Sequence, residues 1–166
     1  MKRDNNEQRP KQEFDLENFL PYRLSVLANT ISQGIAQIYQ KIYGLSVPEW
    51  RVVAILGRYP GLTASEVGER TVMDKVTVSR AVNALLHKNF IERLTHRNDR
   101  RKRPLRLTSG DGQSMLDDLL PKVLAYETAL QSAMTRTESR DFDQLIDRLQ
   151  RTASQLHLAD SIEKRG

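Results

Sequence analysis

The sequence predicts a mainly α-helical chain interrupted by one small β-hairpin, and three observations carry that prediction. Apolar residues recur at intervals of three and four over most of the length. Three Ser/Thr-x-x-Glu boxes mark helix starts. One short stretch, residues 90–108, changes to alternation around a basic turn.

Taken in order, residues 1–15 are polar and mixed in charge, and are expected to be a disordered tail without the apolar core of a signal peptide. Over residues 21–43 the series Leu20, Leu24, Leu27, Ile31, Ile35, Ile38 and Ile42 forms one apolar helical stripe. Pro21 suits its first turn and Gly44 its left-handed end. Ser46 with Glu49 opens a second helix through Trp50, Val53 and Leu56, and Thr63 with Glu66 opens a short third one to about Arg70. Asp74 caps a fourth, running from Lys75 to about Lys88. Phe90 to Thr95 and Leu105 to Thr108 alternate as strands, with the turn pair Asn98-Asp99 between them. A long helix follows over residues 112–134, kinked at Pro121, where one backbone bond is lost. Thr135 with Glu138 opens the last, whose apolar face reads Phe142, Leu145, Leu149 and Leu156.

Composition narrows the function. The 166 residues contain no cysteine and three scattered histidines, which excludes disulfides, thiol nucleophiles and Cys-ligated metal; no cofactor is expected. The longest apolar run, residues 52–56, is far too short to span a membrane, so the expectation is a cytoplasmic protein. The net charge of +5 is concentrated: residues 93–106 hold seven basic side chains against one acid, while the rest of the chain is close to neutral.

Residues 62–86 then read as a helix-turn-helix. Ala64 and Val67 are expected to face inward from the short helix, with Val78, Val82 and Leu85 from the one after the turn. The opposite face of that second helix carries Lys75, Val76, Arg80 and Asn83, with Thr77 at its margin. Long donors, a hydroxyl and a methyl-bearing side chain are the chemistry that reads base edges in a major groove. The N-terminus of that helix is also expected to point its dipole at phosphate. The basic hairpin directly after it, with Arg97, Arg100, Arg101, Lys102 and Arg103, makes a wing, and an Arg at its tip suits a narrow minor groove. The fold class is thus a winged helix-turn-helix with long helices on both sides.

These residues resemble the MarR family of winged-helix regulators. The likeness lies in Asp74-Lys75 opening the recognition helix, Thr77-Val78-Ser79-Arg80, Leu85-Leu86, Asp99-Arg100-Arg101 in the wing, and Leu107-Thr108 followed by Gly112. It extends over about residues 16–156. The resemblance implies homodimers with intertwined terminal helices that bind pseudo-palindromic operators on double-stranded DNA, mostly as repressors. Many such proteins are released by a small, often aromatic anionic effector. By position, Val76, Thr77 and Arg80 match base-facing places, Ser79 a phosphate contact and Arg101 the wing-tip Arg, oriented by Asp99. For the effector, Tyr22, Arg23 and Trp50 offer a cation and aromatic faces. The implied division is a tail over 1–15, a dimerisation helix over 16–45, the winged helix-turn-helix over 46–108, C-terminal dimerisation helices over 109–158 and a flexible tail over 159–166. The stripes agree with a dimer on one point: three apolar faces from opposite chain ends need a common partner.

Three other readings are weaker. No His-Glu-x-x-His, Gly-x-Ser-x-Gly or P-loop motif is present, so the chain is not expected to be an enzyme. A metal sensor lacks ligands at the right spacing. The alternative function is a winged helix that binds RNA or protein, since a basic wing does not by itself select duplex DNA.

Overall fold

The structure, a computed structural model, describes residues 14–94 and 103–163, with side-chain environments as far as residue 156. The wing residues Arg97, Asp99, Arg100, Arg101 and Lys102 lie outside the described residues. The elements are α1 (Leu20–Tyr43), α2 (Val47–Arg58), α3 (Ala64–Thr71), α4 (Lys75–His87), β1 (Ile91–Arg93), β2 (Leu105–Leu107), α5 (Asp111–Gln131) and α6 (Arg136–Glu163). They fall into two compact units, residues 1–113 and 114–166.

In the first unit, local chemistry sets the helix ends. Gly44 adopts φ 60° and returns its N–H to Gln40 and Tyr39, closing α1. Ser46 and Glu49 form a reciprocal capping box on α2, as do Thr63 and Glu66 on α3. The core between these helices is built from Leu45, Val52, Val53, Leu56, Val67, Val78, Val82, Leu85, Ile91 and Leu105, all buried. Ala64 departs from its expected inward place: it is exposed in the first turn of α3, where Val67 is the buried residue. Gly68 lies at the crossing of α3 and α4, where an added Cβ would be 3.4 Å from the Met73 carbonyl oxygen and 3.5 Å from Val78, ordinary packing distances.

The hairpin is antiparallel, pairing Ile91 with Leu107, Glu92 with Arg106 and Arg93 with Leu105. It is shorter than the alternation suggests. Phe90 is left outside the ladder because its N–H is taken by the Leu85 carbonyl at 3.1 Å, so only its carbonyl pairs across, with the Thr108 N–H; its ring meets Tyr43 edge-on at 6.0 Å. Gly61 and Leu62 add a further pairing to β2: Gly61 N–H bonds the Leu105 carbonyl and Leu105 N–H the Leu62 carbonyl, both at 2.8 Å. Order begins before residue 16, where Phe14 packs edge-on against Phe19 at 5.2 Å and Asn18 bonds the Asp15 carboxylate.

In the second unit, α5 continues unbroken past Pro121. The Thr135–Glu138 box opens α6, and bonds from Thr135 hold the Glu138 carboxyl below its usual range. Helix α6 runs on to Glu163, beyond the expected end at residue 158, because no Gly or Pro between Arg136 and Glu163 interrupts it. Leu120, Leu124, Leu130, Phe142, Leu145, Ile146 and Leu149 are all exposed in the single chain. Among the described residues no helix is long and apolar enough to cross a membrane.

Candidate nucleic-acid interface

Helix α4 starts at Asp74, whose Oδ1 accepts the backbone N–H groups of Val76 and Thr77 at 2.9 Å each. Its Oδ2 accepts the Thr77 hydroxyl at 2.5 Å. These bonds, those from Thr77 foremost, hold the Asp74 carboxyl below its usual range. Two sequence expectations change here. The first-turn N–H groups of Val76 and Thr77 are taken by a carboxylate, so these two are not open to a phosphate. The Thr77 hydroxyl is likewise committed to the cap, and the side chain sits half-buried at the margin.

From that cap the helix turns Val78, Ala81, Val82 and Leu85 inward. Lys75, Val76, Ser79, Arg80 and Asn83 face out, over roughly 140° of arc at 3.6 residues per turn. Val76 is 58 % exposed, a large fraction for a β-branched apolar side chain. Among the described residues, Lys75, Arg80 and Asn83 have no hydrogen-bond or ion-pair partner. Clefts lie on either side of this ridge. One, of about 620 Å³, lies between α3 and α4 and reaches Arg93 on β1; Lys75, Ser79, Asn83, Ser65 and Glu69 line it over Val78 and Val82. The other, of about 360 Å³, lies toward the start of α2, between Thr77 and Arg80 on one side and Ser46 and Pro48 on the other. A ridge bearing cations, an amide and a methyl pair, flanked by two grooves, is the relief that a major groove and its two phosphate rows would fit.

Arg103 is exposed where the chain re-enters β2, and Arg93 is exposed at the end of β1. Arg106 is spent on Glu92, Nε to Oε1 at 2.8 Å across the hairpin, so not every cation of the basic stretch is free for a ligand. The role of Arg93 as a wall of the larger cleft was not evident from the sequence, where it reads as one more charge in the run.

The three effector candidates do not meet. Trp50 stacks on Tyr39 with centroids 5.3 Å apart and planes at 16°, part of the α1–α2 packing. Burial pushes the Tyr39 hydroxyl up in pKa, with the Arg51 charge opposing. Tyr22 and Arg23 are exposed and lie 17 and 16 positions before Tyr39 on the same helix, roughly 25 Å away at 1.5 Å per residue.

One ion pair unmarked in the sequence sits behind the ridge. Lys88 Nζ donates to Glu49 Oε1 at 2.7 Å and to the Gly44 carbonyl at 3.0 Å. Glu49 is only 5 % exposed, and its Oε2 accepts the Ser46 N–H at 2.6 Å. Burial alone would push the Glu49 carboxyl up; the bonds from Lys88 and Ser46 outweigh it and leave the group below the usual carboxylate range.

Comparison with known proteins places this geometry. The family model described as "MarR family" matches residues 43–102. Among solved structures, a MarR/EmrR family transcriptional regulator from Acinetobacter sp. ADP1 is similar with a TM-score of 0.78 at 22 % identity, over 86 % of this chain and 99 % of that one. A MarR-family transcriptional regulator from Silicibacter pomeroyi has a TM-score of 0.67 at 25 % identity, over 81 % of this chain and 89 % of that one. The PcaV transcriptional regulator from Streptomyces coelicolor, solved in complex with its natural ligand, has a TM-score of 0.67 at 23 % identity, over 85 % and 98 %. No curated protein matches the chain in sequence. The match over residues 43–102 and the structural likeness agree: the chain has the fold of the MarR-family transcriptional regulators.

Proposed function

We propose that this protein is a sequence-specific DNA-binding transcription regulator that acts as a homodimer on a two-fold-related operator, in the main as a repressor. The observation that carries the reading is the outward face of α4: Lys75, Arg80 and Asn83 are exposed, without partners among the described residues, and set on a rigid, well-capped helix beside exposed Val76. In this reading Arg80 forks onto a guanine, Val76 meets a thymine methyl, and Ser79 with Lys75 lies against phosphate. Thr77 contributes its methyl group and its cap. Arg103, together with Arg97, Arg100, Arg101 and Lys102, supplies the wing's charge, with Asp99 orienting Arg101 at the minor groove.

The dimer rests on the arms. Leu20, Leu24 and Leu27 on α1, and Phe142, Leu145 and Leu149 on α6, are each some two-fifths or more exposed, and leucines at helical spacing are covered in a stable soluble protein. Control by a small aromatic or anionic effector belongs to the same reading. A pocket using Tyr22, Arg23 and Trp50 together draws on two chains, because one chain keeps them apart.

The test is binding to the duplex upstream of the protein's own gene, across a salt series, against a scrambled duplex. Tight binding to the first, weak binding to the second and a steep loss with salt are expected. Equal, weak binding to both, or preference for structured RNA, would replace this reading with an RNA- or protein-binding one.

A further inference from the structure

The C-terminal end of the recognition helix is a joint. Lys88, its cap, reaches forward in the fold but backward in sequence, to the Gly44 carbonyl at the end of α1 and to buried Glu49 in the first turn of α2. Glu49 uses its other oxygen on Ser46 N–H, so one ammonium and one carboxylate bind residues 44, 46, 49 and 88 into a single cluster. Next to it Phe90 meets Tyr43, the last residue of α1, edge-on. On the other side Thr108 donates its hydroxyl to the Asn89 carbonyl, donates its N–H to the Phe90 carbonyl, and accepts the N–H of Gly112 in the first turn of α5. A Cβ on Gly112 would lie 2.0 Å from the Phe90 carbonyl oxygen, so that turn is pressed onto the same three residues. None of these groups belongs to the outward face of α4.

We infer that Lys88 is a positioning residue for DNA recognition: its bonds to Gly44 and Glu49 fix the angle of the recognition helix to α1, and through it the separation of the two half-sites a dimer can read. The inference rests on the proposed operator-binding dimer for its functional consequence. The physical reason is that α4 is short and otherwise held by apolar contacts, which resist separation but permit sliding and rotation. A charged two-point attachment at one end is directional and removes that freedom. A partly buried carboxylate that is fully hydrogen-bonded also has no cheap alternative arrangement, so the joint holds one geometry.

The test combines two readouts on the full-length chain. First, the protein has no cysteine, so spin labels at Gln37→Cys on α1 and Asn83→Cys on α4 can be introduced together in one chain, diluted with unlabelled protein so that only the within-chain distance is read, and measured without DNA. One narrow distance is expected for the parent, at least a twofold broader distribution for Lys88→Met, and a narrow one again for Lys88→Arg. Because Lys88→Met leaves Glu49 buried without its cation, the double variant Glu49→Gln with Lys88→Met keeps the measurement decisive if the single variant unfolds. Second, affinity is compared between an operator of native spacing and one with a base pair inserted between the half-sites. Lys88→Met and the double variant should lose at least fivefold of the parent's preference for native spacing, with an unchanged salt slope. An unchanged distance distribution overturns the inference, as does a preserved spacing preference in a folded variant. A salt slope reduced by about one phosphate contact also overturns it, since Lys88 would then be touching DNA. If the parent prefers neither operator, the operator reading fails, while the label distances still decide whether the joint fixes α4.

Discussion

The winged lobe and the long helical arms obey the same apolar periodicity and end in opposite states. In the lobe, Val52, Val53, Val67 and Leu85 are completely buried. In the arms, Leu20, Leu24, Leu145 and Leu149 keep two-fifths or more of their surface in the single chain. The lobe is closed because short helices with small contact residues fold back on one another within some sixty positions. Each arm is a long amphipathic helix whose apolar stripe stays exposed. In the proposed dimer the two tasks separate: the lobe carries its own core, and the stripes are covered on assembly.

The comparison can be broken most severely at the arms. Leu145→Asp combined with Leu149→Asp should abolish the proposed dimer, and sedimentation of an intact dimer by that variant would refute the role given to α6. Next in size, Gly112→Ala should destabilise the lobe by ~3 kcal/mol or more, because the new Cβ meets backbone that cannot yield; denaturant unfolding measures it. On the lobe's outer face, Arg80→Ala should weaken specific binding by about 1–3 kcal/mol and relax sequence preference, with folding unchanged. A loss equal on specific and scrambled duplexes would remove Arg80 from base reading.

Smaller effects sharpen the picture of the lobe's interior. The Glu49 carboxyl is held below its unfolded value, so its contribution is present above the unfolded pKa and is lost as pH falls through the lower folded one. Glu49→Gln should therefore cost about 1 kcal/mol at neutral pH and make the acid limb of the stability curve shallower. At the turn between α3 and α4, Val72 is a β-branched residue at φ 54° with 91 % of its surface exposed. Its side chain strains the backbone without packing, so Val72→Gly should raise stability by about 1 kcal/mol, measured as a higher Tm.

What the sequence reveals of all this follows how far apart the interacting residues lie. The Ser46–Glu49, Thr63–Glu66 and Thr135–Glu138 boxes and the Asp74 cap join residues three apart, so spacing alone locates them. The outward face of α4 is legible for the same reason, a helix being periodic. Lys88 with Glu49, Trp50 on Tyr39, and Gly112 beneath Phe90 join residues whose separation carries no period, and single-sequence reading passes over them. Ala64 fits the inward period and yet is exposed, because period alone does not show how far a neighbouring helix extends over a first turn. The apolar stripes of α1 and α6 are visible in the sequence, but periodicity shows only that a face wants cover and does not name the chain that supplies it.

The pairing of Leu62 with Leu105 has a consequence for the order in which the lobe forms. The two backbone bonds there join positions separated by 44 and 43 residues, whereas the α3–α4 crossing and the helix caps close over a few to a dozen or so. Closure entropy grows with the length of chain enclosed, and distant β contacts are accordingly slow. The helix-turn-helix is therefore expected to condense first and the hairpin to dock onto it afterwards, with the Gly61–Leu62 edge as the template on which the second strand is laid.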